Sequence, residues 1–168
     1  YSVDDLEEFL LDPVLARAMR ESRSILVQLF WNCPDIATIE EMAACIARKA
    51  PMATLVGCRS SGQIADGQVV RTGVVVSVAC FSHAKLTPNF IEVEEGKEGE
   101  AGAALAADLA RAEGIKGALL IATFLSIDVS ALIAGVRGEA PSLVVFGGCA
   151  AHEQDGQMDI LFGAKMAA

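Results

Sequence analysis

Short apolar runs of strand length alternate along this chain with stretches in which apolar residues recur every three or four positions. Runs of the first kind are 25–31 (ILVQLFW), 52–57, 73–81, 117–125, 142–147 and 157–163. The run 73–81 is strongly β-branched and predicts a central strand. The second kind is clearest over 35–50, where Ile36, Ile39, Ala43 and Ile46 line one face of a helix. Pro51 ends it. Further helices are predicted over 128–138 and over the Ala-rich stretch 99–113, with Gly114 as its C′ residue. Near the start, Ser2-Val3-Asp4-Asp5 reads as a capping box with Asp in the place of Glu, and Asp12-Pro13 as a second helix start running to about Glu21. Pro88 demotes 85–93 to an edge strand or extended segment. The Ser- and Gly-rich 58–68 is expected to be a loop or short hairpin, and 92–100 a solvated acidic connection.

The order of these elements repeats. ILVQLFW, a helix opened by Asp35, Pro51, MATLVGC and Asp66-Gly67-Gln68 come in that order. The second copy runs GALLIATFL, a helix opened by Asp128, Pro141, SLVVFGGC and Asp155-Gly156-Gln157. Strand–helix–strand connections imply parallel pairs, and the strands after each Asp-Gly-Gln are expected to add antiparallel. The fold class is therefore α/β, a mixed sheet built from two internally repeated strand–helix–strand–strand units, approximately 25–81 and 117–168. The second copy has no counterpart of 73–81 before Ala168, so the chain reads as a fragment of a larger module, with 1–168 one domain.

Composition narrows the function. Hydrophobic residues make up 53% of the 168, enough for a sizeable core. A net charge of −9 and a pI near 4.6 argue against a nucleic-acid face or an anionic membrane surface. No apolar run is long enough to predict a membrane-spanning helix, and a cytoplasmic location is expected. The five cysteines (Cys33, Cys45, Cys58, Cys80, Cys149) are odd in number, lie in apolar segments and form no C-x-x-C pair. Buried reduced thiols are the expectation.

Two segments are candidates for ligand chemistry. In Gly57-Cys58-Arg59-Ser60-Ser61-Gly62, glycines permit close backbone approach. Successive N–H groups and serine hydroxyls can hold a carboxylate, and Arg59 can pair with it. In Gly147-Gly148-Cys149-Ala150-Ala151-His152, small residues leave space and His152 adds a titratable group. The plain alternative for each is a tight structural turn, with Arg59 and His152 solvated. His83 and His152 are the only histidines. Either could serve as an axial haem ligand, and no spacing fits a structural zinc site. A thiol enzyme would need Cys58 or Cys149 as nucleophile and a histidine as base.

The stretch LVGCRSSGQIADG at 55–67 resembles the signature of the FIST N-terminal domain: Gly57, Cys58, Ser60, Gly62 and Ile64 match, while Arg59, Ser61 and Gln63 depart. PSLVVFGGCAAHEQDGQMDILFG resembles that family's second strand, its Gly-Gly-x-Ala turn (Gly147, Gly148, Ala150) and the following strand. Thr123-Phe124-Leu125-Ser126 stands where the family usually has Asp-Gly-Leu. The resemblance implies a bacterial or archaeal sensory module, non-catalytic, without a cofactor, binding a small molecule such as an amino acid. It implies a following FIST C-terminal domain and a signalling output as partners. The alternatives it leaves open are haem-based nitric-oxide sensing, the thiol enzyme and a dimerisation module that binds nothing.

Overall fold

The computed structural model of the chain describes residues 2–32, 35–65, 67–112, 114–123, 127–150 and 159–167. It forms two compact units, 1–88 with 151–168, and 89–150.

The first unit opens with α1 (Val3–Leu11) and α2 (Pro13–Glu21). The capping box is present: Ser2 Oγ accepts from Asp5 N–H (3.1 Å), and Asp5 Oδ2 accepts from Ser2 N–H (2.9 Å). Asp12 caps α2 by accepting from Val14 and Leu15 N–H, both at 2.9 Å, with Pro13 in the first turn where its missing N–H costs nothing. Strand β1 (Ser24–Asn32) is followed by α3 (Ile36–Lys49), capped by Asp35, and β2 (Ala53–Arg59). A hairpin of β3 (Gln63–Ala65) and β4 (Gln68–Val70) leads into β5 (Gly73–Phe81).

Strand order in the main sheet is β5-β1-β2-β8-β9, where β8 is Ile160–Phe162 and β9 is Lys165–Ala167. β1 and β2 are parallel, and the other ladders are antiparallel, so the sheet is mixed as expected. Burial alternates strictly along β1 although its sequence is almost continuously apolar. Ile25, Val27, Leu29 and Trp31 take the core face, against Leu6 and Leu10 of α1 and Ile39, Met42 and Ile46 of α3. Each such aliphatic side chain contributes roughly 1.5–3 kcal/mol by leaving water.

The second unit holds α4 (Glu98–Ala110), β6 (Gly117–Thr123), α5 (Val129–Glu139) and β7 (Val144–Ala150). β6 and β7 are parallel, again joined through a helix with an aspartate cap, Asp128. The helices α4 and α5 touch backbone to backbone. A Cβ on Gly102 would lie 2.1 Å from the Leu132 carbonyl oxygen, and one on Gly135 2.1 Å from that of Gly99.

Several expectations need correction. β5 is an edge of the main sheet, not its centre; β-branched residues suit a half-buried surface wherever it lies in the order. Residues 85–93 form no strand, in keeping with the donor that Pro88 removes. Helix α4 ends near Arg111, and Gly114, with φ of 74°, lies beyond that end rather than at C′. Among the described residues, β6 and β7 pair with each other and β8 pairs with β2.

Candidate functional site

Gly57, Cys58 and Arg59 are not a turn but the last three residues of β2, and Gly147, Gly148 and Cys149 lie inside β7. The glycines serve strand pairing. Gly57 is in register with Leu29, whose carbonyl oxygen would sit 2.2 Å from an added Cβ. Gly147 is in register with Leu120, whose carbonyl oxygen would sit 1.8 Å away, and Gly147 has a φ of 144°. Any side chain at either position would collide with backbone. The same contact recurs in both crossovers.

Arg59 is the largest departure from expectation. The sequence leaves open a side chain that meets a ligand carboxylate or one that stands solvated on a turn, and the solvated reading does not hold, because the side chain is 1% exposed. Its Nε and Nη2 both reach Asp159 Oδ2, at 2.8 and 2.7 Å, and its backbone N–H donates to the Asp159 carbonyl at 2.9 Å. The cause is strand extension. Because β2 continues through Arg59 on the face that carries Leu55 and Gly57, the guanidinium is directed into the protein. There the antiparallel β8 segment brings a carboxylate to neutralise it.

Beyond Arg59 the chain leaves the sheet through Ser60, Ser61 and Gly62, and these residues are tied down locally. Ser60 N–H donates to the Trp31 carbonyl at 2.8 Å. The Asn32 amide donates to the carbonyls of Ser61 (3.2 Å) and Arg71 (2.7 Å). The buried Gln63 amide donates to the Val70 carbonyl at 2.9 Å while accepting from Ser60 Oγ at 3.0 Å and Asn32 N–H at 3.1 Å. Arg59, Trp31, Asn32, Gln63 and Asp159 thus gather where the parallel strands β1 and β2 end. In open α/β sheets that carboxyl end is where ligands bind. The open depressions along α1 and α2 are lined mainly by carboxylates (Asp4, Glu7, Glu8, Asp12) and suit an anion poorly.

Gly147, Gly148 and Cys149 belong to the second unit, and Gly57 through Gly62 to the first. Burial pushes the Cys149 thiol above its ordinary pKa, the opposite of what a nucleophilic thiolate needs. Cys45, Cys80 and Cys149 are free thiols. His152, Cys33, Ala151, Phe124, Leu125, Ser126 and the second Asp-Gly-Gln lie outside the described residues, as do Asp66 of the first and Glu113.

Sequence reasoning missed Asp159, which lies 100 residues from Arg59 and carries no local signal. It left Trp31 as a core or rim residue that could flank a pocket. Being the sole tryptophan and the penultimate residue of a strand in a crossover was the available hint.

A mixed sheet with a parallel crossover, and a buried ion pair at the strand ends, define an α/β module with its polar residues gathered at one sheet rim. The FIST N domain matches residues 25–166, and the chain belongs to that family of sensory domains. No curated protein and no solved structure matches the chain. Among the described residues no helix is long and apolar enough to cross a membrane.

Proposed function

We propose that this chain is the non-catalytic ligand-binding part of a cytoplasmic bacterial signal-transduction protein. It takes a small anionic molecule, such as an amino acid, at the carboxyl ends of β1 and β2. The observation that carries this reading is the Arg59–Asp159 pair, which puts a guanidinium and a carboxylate side by side at that rim. When this contact opens, a zwitterion can replace each partner, its carboxylate on the guanidinium and its ammonium on the Asp159 carboxylate. Binding signals only through different affinity for two states of the protein. The segment 159–167, which supplies Asp159 and two strands to the sheet, is the natural element to differ between them. A FIST C-terminal domain and a signalling output are the partners that would read the change.

Calorimetry on the intact protein with the proteinogenic L-amino acids tests this. Arg59→Lys keeps the charge but loses the planar fork. It is expected to weaken binding at least about tenfold, or about 1.4 kcal/mol. A folded Arg59→Lys protein with unchanged affinity would remove Arg59 from the site.

A further inference from the structure

Trp31 is wholly buried, and among the described residues its indole N–H has no hydrogen-bond partner. The other buried polar side chains of the first unit, Arg59 and Gln63, are both bonded. A buried donor left unmade is costly, and such groups are rare enough in folded proteins that each calls for a reason. Hydrophobic filling is not a sufficient one, because a phenylalanine fills the same kind of site without burying a donor.

The position of Trp31 supplies the reason. It stands in register with Arg59 on β2, so the two side chains leave the same face of the sheet side by side. On its other flank it faces Val74 of β5, which offers an apolar side chain. Asp159, which precedes β8, is engaged by the Arg59 guanidinium. Trp31 is therefore a lone donor beside a cation, at the strand ends where the proposed ligand binds.

We infer that the Trp31 indole N–H donates a hydrogen bond to the bound molecule, next to Arg59, and selects for an acceptor oxygen of a carboxylate or carbonyl group. The inference rests on the ligand-binding reading above. It adds a specificity-determining residue to that site. A neutral donor aligned with a cation favours a ligand with two acceptor oxygens close together, one for each.

Because the sequence contains one tryptophan, a ¹H–¹⁵N correlation spectrum of the ¹⁵N-labelled full chain shows one indole resonance, and it reports on this site alone. The probes are acetate and the proteinogenic L-amino acids at millimolar concentration. A probe that shifts the backbone amides of Ser60, Ser61 and Gly62 is expected to move the indole N–H downfield as well. Trp31→Phe is expected to lower that probe's affinity about tenfold. If the 60–62 amides shift while the indole resonance stays in place, the inference is wrong and the binding reading stands. If no probe moves either set, the binding reading fails for carboxylates and the inference falls with it. The indole shift is read in the unaltered protein, so the test survives a Trp31→Phe variant that folds poorly.

Discussion

Arg59 and Asp159 stand 100 residues apart in sequence and are joined three times, by two side-chain contacts on one carboxylate oxygen and by a backbone hydrogen bond. The contact fastens the short strand β8, which has only three residues paired with β2, to the main sheet. Removing one partner of a buried pair leaves an uncompensated charge, typically at a cost of about 3–5 kcal/mol. Arg59→Ala is thus expected to destabilise the protein by about 3 kcal/mol in urea unfolding, rather than leave stability untouched as a solvated arginine would. A loss below about 0.5 kcal/mol, the range of an exposed ion pair, would show that the guanidinium is not buried.

Gly102 and Leu132 give a second prediction. In an exposed helix, Gly→Ala gains about 1 kcal/mol through propensity. Here the new methyl group would lie 2.1 Å from a carbonyl oxygen on the facing helix, so α4 and α5 would have to move apart. Overpacking of that kind costs about 1–3 kcal/mol or more. Gly102→Ala is expected to lower the thermal midpoint, whereas Gly138→Ala, with open space around it, is expected to raise it. Equal stabilisation at the two positions would mean that the helices are not in backbone contact.

How legible all this was in the sequence depends on range. Features set within a few residues were readable: the Ser2 capping box, the aspartate caps at Asp12, Asp35 and Asp128, and the helix stops before Pro51 and Pro141. Both parallel crossovers were readable as well, since a strand–helix–strand order leaves little choice of direction. The position of β5 was not, because β-branched residues suit an edge as well as a centre. The Gly-Cys segments were misread as turns. Glycine signals close backbone approach as readily as a bend, and the approaching carbonyls belong to Leu29 and Leu120, 28 and 27 residues upstream. The fate of Arg59 was decided by Asp159, and no pattern around either residue announces the other.

Glu98 yields a pH dependence. Its carboxylate is buried at the start of α4, near its own backbone N–H and that of Gly96, and accepts from the Asp128 N–H at 3.3 Å. These backbone N–H groups, its own first, hold its pKa below the usual carboxylate range, against opposing effects of burial and of the Asp128 charge. A folded pKa below the unfolded value of about 4.3 means that the stabilisation is complete above that pH. It is lost as pH falls through the folded pKa. Unfolding curves measured between neutral and acid pH should therefore show a decline in the second unit that Glu98→Gln makes shallower. An identical acid limb in the variant would exclude Glu98 as a source of that decline.

Cys149 provides the sharpest separation between a binding module and a thiol enzyme. A catalytic thiol needs a lowered pKa, so that the thiolate is populated at neutral pH. Burial acts on Cys149 in the other direction and disfavours the charged form. Alkylation by iodoacetamide at neutral pH, followed by peptide mass mapping, is expected to label Cys149 more slowly than a free cysteine in a short peptide. The rate should rise with pH to a midpoint above the ordinary thiol range of about 8.5. Rapid labelling of Cys149 with a midpoint near or below neutrality would instead reveal an activated thiol, and the non-catalytic reading would have to be given up.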